Sequence, residues 1–194
     1  IAKLRRRFGV RKDDFVVLGV GRMVWEKGWY DIVRAAYKIQ NSEKIKFLLV
    51  GDGPEKENLK FKIKNLKLGS IVKFISNVPY KDMPDVFRLA DVFVHASLPT
   101  RWWNEQMGGV LIEAMATGLP IVGTMSGGMP DTVGREGGIF VRPQSFSDLA
   151  EAIITFYKNQ DLRRKVGLRN RRVAVKKYDV QLVSDMIGKV WEAL

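Results

Sequence analysis

Six short apolar runs, each closed by glycine, proline or a charge, constrain this chain more than any other feature. They are Phe15 to Val20, Lys46 to Val50, Val72 to Ile75, Asp91 to Ala96, Ile121 to Gly123 and Ile139 to Val141. Runs this short, with little polar alternation, suit strands buried on both faces, as in a parallel sheet. Segments of helical spacing lie between them: Trp29 to Gln40, Glu55 to Leu66, Met83 to Leu89, and about Gly109 to Thr117. Pro54 is placed to open the second of these, where its missing N–H costs nothing. Two or three further helices are expected from about Ser147, Leu162 and Gln181. The alternation predicts one α/β domain over 1–194, doubly wound and Rossmann-like. Its parallel sheet should have about six strands, with helices on both faces and ligands bound at the carboxyl edge.

The chemistry concentrates between Asn104 and Val122, in Asn-Glu-Gln-Met-Gly-Gly-Val-Leu-Ile-Glu-Ala-Met-Ala-Thr-Gly-Leu-Pro-Ile-Val. A helix starting near Gly108 and Gly109 leaves Glu105 in the preceding loop and Glu113 about one turn inside. The amides of Gly108, Gly109 and Val110 then lack intrahelical partners. With the positive end of the helix dipole they form an anion site suited to phosphate. Glu113 can accept hydrogen bonds from a diol behind the phosphates, and Glu105 can reach hydroxyls in front of them. That arrangement suits a sugar nucleotide.

Composition narrows the alternatives. At 194 residues the chain can bury a full core, and no apolar run approaches a bilayer span. The absence of cysteine excludes disulfides, thiolate zinc sites and thiol nucleophiles, and a single histidine, His95, excludes a multi-histidine metal site. Ile1 to Lys12 is basic and amphipathic, without the apolar core of a signal peptide. An opening on Ile rather than Met fits an excised fragment or a processed chain. The net charge of +12 collects at the two ends, from Lys3 to Lys12 and from Arg163 to Lys177. It favours anionic partners without choosing among nucleotide, nucleic acid and anionic lipid.

The first strand runs into Gly19-Val20-Gly21-Arg22-Met23-Val24-Trp25-Glu26-Lys27-Gly28. Val24 stands where a dinucleotide fingerprint needs its third glycine, and no acidic residue ends the second strand, which argues against nicotinamide or flavin. The loop instead offers Arg22 and Lys27, two cations at the carboxyl edge. Gly51-Asp52-Gly53-Pro54 reads as turn chemistry. His95, ending the fourth strand, is expected as a hydrogen-bonded core or loop residue. Trp102 and Trp103 can stack on a sugar or pack beneath the loop.

Glu-x7-Glu with a glycine at its fourth position, then Glu-Ala-Met-Ala-x-Gly-x-Pro-Ile-Val, resembles the signature of the retaining glycosyltransferases of family 4, which have the GT-B fold. Gly-Arg-x4-Lys-Gly is similar to that family's diphosphate-binding loop. The resemblance spans about Phe15 to Tyr178. It implies the C-terminal, donor-binding domain, with the N-terminal acceptor domain and its histidine absent from this chain. It assigns Arg22 and Lys27, beside Gly21, to the diphosphate, aided by the amides of Gly108, Gly109 and Val110. It assigns Glu113 to the ribose, Val78 to the base pocket, and Glu105, the catalytic candidate, to the donor sugar without making it a nucleophile. Met107 and Asp131 depart mildly from the family pattern. The implied enzyme is a hexosyltransferase using a nucleoside diphosphate sugar, with no metal and no cofactor. It is expected in the cytoplasm, with peripheral contact at the inner membrane face, and the fragment alone should be inactive. The alternatives are a basic nucleic-acid-binding module, although nucleic acid is not the expected partner, and a nucleotide-sugar epimerase of related fold.

Overall fold

The computed structural model describes residues 2–192 except 43 and 77. Six strands, β1 (Phe15–Val20), β2 (Ile45–Val50), β3 (Val72–Ile75), β4 (Val92–His95), β5 (Ile121–Thr124) and β6 (Gly138–Val141), form one sheet. Their order is β3-β2-β1-β4-β5-β6, and every described ladder is parallel. The helices are α1 (Ala2–Arg7), α2 (Trp29–Lys38), α3 (Lys56–Asn65), α4 (Met83–Phe87), α5 (Gly109–Ala116), α6 (Met129–Val133), α7 (Phe146–Lys158), α8 (Gln160–Tyr178) and α9 (Val180–Glu192).

Side-chain alternation along β1 divides the interior in two. Phe15 and Val17 join Ile32, Leu59, Ile153 and Phe156 on the face covered by α2, α3 and α7. Val16 and Leu18 join Val86, Leu111, Met115 and Met129 on the face covered by α4, α5 and α6. Each fully buried side chain of this kind contributes about 1.5–3 kcal/mol of transfer free energy. This is the doubly wound arrangement with helices on both faces that the sequence predicts.

One local expectation is corrected, and one helix is unexpected. Pro54 stands two residues ahead of α3, which begins at Lys56 behind Glu55, so it shapes the turn rather than the first helical position. The segment after Gly128 forms α6, a five-residue helix too short to show helical periodicity, with Pro130 in its first turn.

The basic C-terminal cluster is partly structural. Arg163, Arg169 and Arg171 of α8 donate to the carbonyls of Phe156, Val133 and Ala116, at the C-terminal ends of α7, α6 and α5. Cations there satisfy orphan carbonyls and oppose the negative end of each helix dipole. These three arginines cap neighbouring helices, with Arg163 and Arg169 half-buried and Arg171 exposed. Helix α9 has no buried residue and leaves Met186, Ile187, Val190 and Trp191 exposed. Among the described residues no helix is long and apolar enough to cross a membrane.

The strand order reverses between β1 and β4, because β2 follows β1 on one side and β4 lies on the other. The loops leaving the carboxyl ends of β1 and β4 therefore diverge and open a crevice, the usual binding position of such a sheet.

Candidate functional site

The loop after β1 is fixed by its backbone. The Trp29 indole N–H donates to the Arg22 carbonyl at 2.9 Å, and Leu98 N–H donates to the Glu26 carbonyl at 2.8 Å. Gly28 has φ 65°, and a Cβ there would lie 1.8 Å from the Ala96 carbonyl oxygen. Only glycine accepts both that left-handed backbone and so close an approach. The β1 loop is thus joined to the end of β4 immediately beside Lys27.

Lys27 reaches across the crevice to Glu105, with Nζ 2.5 Å from Oε2, and lies 4.9 Å from the centroid of the Trp103 ring. The same oxygen is 2.9 Å from His95 Nε2 and accepts from Ser97 Oγ at 2.9 Å. Ser97 Oγ is in turn 3.0 Å from His95 Nε2. No described residue hydrogen-bonds to Glu105 Oε1. The loop carrying Glu105 is held from behind by Gly127 and Gly128, whose Cβ atoms would lie 1.9 Å and 2.0 Å from the carbonyl oxygens of Glu105 and Gln106. Gly128 N–H donates to the Glu105 carbonyl at 2.8 Å.

Burial opposes charge on both members of the His95–Glu105 pair. At His95 burial prevails over the neighbouring carboxylate and lowers the pKa from 6.5, so the ring is neutral at neutral pH. At Glu105 burial alone raises the pKa, but the hydrogen bonds from His95, Lys27 and Ser97 outweigh it and hold the carboxyl at about 2.

Helix α5 begins at Gly109 behind Gly108, which has φ 65° and whose carbonyl accepts from Leu111. The amides of Gly108, Gly109 and Val110 have no backbone or side-chain acceptor among the described residues. Glu113, half-buried in the second turn, accepts a hydrogen bond from the Tyr80 hydroxyl at 3.3 Å.

Three hollows are bordered by the expected site residues. Lys27, Trp103, Glu105 and Gly108 border one of 510 Å³. Gly21, Arg22, Val78 and Met83 border a second of 300 Å³. Tyr80, Met83 and Glu113 border a third of 340 Å³, and Met83 adjoins both of the last two. The expected site residues lie in or beside these hollows, and the two cations differ in their surroundings. Lys27 is not a free cation beside Arg22, because Glu105 is its nearest counter-charge; the exposed Arg22 guanidinium has no ion pair among the described residues. The tryptophans divide: Trp103 packs half-buried against Lys27, while Trp102 is 85% exposed with Arg101 over its ring.

Ser97, Tyr80, Gly127 and Gly128 are site residues that sequence reasoning missed in these roles. Only the glycine pair carried a signal, since adjacent glycines mark close backbone approach. Among the described residues no cluster of three or more histidine or acidic side chains could hold a metal ion.

Comparison with known proteins adds an independent line. The family described as "Glycosyl transferases group 1" matches residues 1–173. A 2-deoxystreptamine glucosyltransferase of Streptomyces kanamyceticus is 30% identical over 156 residues, covering 79% of this chain and 39% of that protein. The chain thus spans about two fifths of that relative's length. The crystal structure of HepE from Anabaena in complex with UDP superposes with a TM-score of 0.89 at 26% identity, covering all of this chain and 52% of that one. The C-terminal domain of a glycosyl transferase group 1 family protein from Francisella tularensis gives 0.76 at 22% identity, covering 91% of this chain and 93% of that one. That likeness shows the fold alone.

Proposed function

The chain belongs to the group 1 glycosyl transferases, and from that premise we propose that it is the donor-binding half of a retaining GT-B hexosyltransferase. Its partner in the complete enzyme is an N-terminal acceptor domain, and its ligand a nucleoside diphosphate sugar. Arg22, Lys27 and Gly21 face the diphosphate together with the amides of Gly108, Gly109 and Val110. Glu113 holds the ribose, Val78 borders the base, and Glu105 contacts the donor sugar.

The chemistry follows from where charge develops. As the bond from the anomeric carbon to the diphosphate breaks, negative charge grows on the leaving group. Cations and amides fixed there stabilise the transition state more than the bound substrate. Two cations and a helix terminus supply this charge without a metal or cofactor. The acceptor hydroxyl attacks the anomeric carbon from the face the diphosphate leaves, its proton passing to the departing phosphate oxygen, so configuration is retained without a protein nucleophile. Contact with the inner face of the membrane, through basic residues not engaged in helix capping, belongs to the same proposal.

The observation that carries this reading is the meeting of Lys27 and Glu105 in the crevice, in the loop that leads into α5 and Glu113. Calorimetric titration of the chain with UDP, GDP and ADP, beside Arg22→Ala and Lys27→Ala, tests it. One diphosphate should bind selectively, and each variant should weaken it about tenfold or more. Binding indifferent to both substitutions would overturn the diphosphate assignment. On this reading the acceptor site belongs to the N-terminal domain, so residues 1–194 alone should transfer no sugar to simple acceptors.

A further inference from the structure

We propose that His95, acting with Ser97, is a positioning residue that keeps Glu105 aimed at the donor sugar when the diphosphate draws Lys27 away. The inference rests on the reading above in which Glu105 contacts that sugar.

All three hydrogen bonds to the Glu105 carboxylate fall on Oε2, one from an ammonium and two from neutral groups. A diphosphate competes with Glu105 for Lys27, since both are anions and Lys27 has one ammonium. Were Lys27 the only holder, ligand binding would free the carboxylate to rotate just when the sugar arrives. His95 and Ser97 remove that conflict. They retain two hydrogen bonds to Oε2 after Lys27 departs and leave Oε1 free for a sugar hydroxyl.

The ring itself cannot easily move. His95 closes β4, paired in register with Gly123, is 4% exposed, and stacks on Phe93 at 6.2 Å with planes 16° apart. Its tautomer is set by the contacts. Glu105 Oε2 accepts only, so Nε2 must carry the proton that lies between them; otherwise two lone pairs would face each other at 2.9 Å. The Nε2–H is then shared between Glu105 Oε2 and Ser97 Oγ, while the Ser97 hydroxyl donates to the carboxylate. Thr124 fixes the serine from behind, its hydroxyl donating to the Ser97 carbonyl at 2.5 Å. A neutral ring holds the carboxylate without neutralising it, so Glu105 keeps full strength as an acceptor.

The test compares each protein's affinity for a nucleotide sugar with its affinity for the parent nucleoside diphosphate, using UDP-glucose, UDP-N-acetylglucosamine and GDP-mannose against UDP and GDP. The ratio isolates the sugar contact. His95→Phe, which keeps the ring shape and removes the donor, should lose about tenfold of that ratio. His95→Gln, whose amide N–H reaches a similar position, should restore most of it, which a purely structural role would not. Ser97→Ala should lose part of the ratio and serves if His95→Phe does not fold. A ratio lost in Glu105→Gln but intact in the His95 and Ser97 variants overturns the positioning role alone. A ratio insensitive to Glu105→Gln, or no sugar advantage in the unaltered chain, overturns the Glu105 reading and this inference with it.

Discussion

Lys27 and Glu105 are 78 positions apart in sequence and 2.5 Å apart across the crevice between the β1 and β4 loops. The contact converts two loops of one sheet edge into a single charged centre. On the proposed reading it also sets a competition, in which a bound diphosphate and Glu105 both draw on Lys27. Glu105→Gln removes the competing anion. Affinity for the free nucleoside diphosphate should therefore rise a few-fold, while the advantage of the nucleotide sugar over it falls; Lys27→Ala should weaken the nucleoside diphosphate and the nucleotide sugar alike, by about tenfold or more. Weaker diphosphate binding in Glu105→Gln, measured by calorimetry, would contradict the competition.

Acid should destabilise the protein in two stages. The folded-state pKa of His95 lies below 6.5, so its contribution is complete above that pH and is lost as pH falls through the lowered value. Glu105 has a folded value of about 2 against an ordinary 4.5, so its contribution is complete above 4.5 and fades toward pH 2. Thermal denaturation followed from about pH 8 to about pH 3 should show Tm falling over both windows. In His95→Gln the first decline should shrink, because no group there takes up a proton. An unchanged profile in that variant would remove His95 from the first stage.

The glycine pair behind Glu105 should be intolerant. Gly127 has φ 54°, and any Cβ meets the Glu105 carbonyl oxygen at 1.9 Å. Gly127→Ala should cost about 2–4 kcal/mol of stability and displace Glu105, lowering Tm and the nucleotide-sugar advantage together. A variant with native Tm and native binding would show that the loop relaxes freely.

Much of the fold was legible and the reasons are local. Short apolar runs between helical spacings fix a parallel sheet, and Gly-Gly ahead of Leu111 fixes the start of α5. The clustering of Gly21, Arg22, Lys27, Glu105 and Glu113 at one edge follows once the strand order does. The hydrogen-bond network at Glu105 was not legible. His95 and Ser97 reach it because alternate residues at the end of β4 enter the crevice, and no spacing in the sequence announces that Ser97 turns toward Glu105. Helix α6 was missed because five residues show no period. The arginines of α8 read as charge alone, since a cap on another helix's carbonyl is a tertiary contact.

Asn170 is a further case of the same kind. Fully buried on α8, it donates to the carbonyls of Leu119 and Gly137 at 2.8 Å and 2.7 Å, tying α8 to the segments that flank β5 and β6. Asn170→Ala leaves both acceptors buried without that partner and should cost about 2–4 kcal/mol, lowering Tm by roughly 5–15 °C. Scanning calorimetry reads this directly, and a shift under about 2 °C would mean that water replaces the amide.

The central claim is that this chain binds a nucleoside diphosphate through Glu113 at the second turn of α5. Titration with UDP, GDP, ADP and NAD, compared between the unaltered chain and Glu113→Ala, tests it most directly. The account predicts selective binding of one nucleoside diphosphate, weakened about tenfold or more by the substitution, with NAD inert. Absence of nucleotide binding, or binding that Glu113→Ala leaves unchanged, would contradict it.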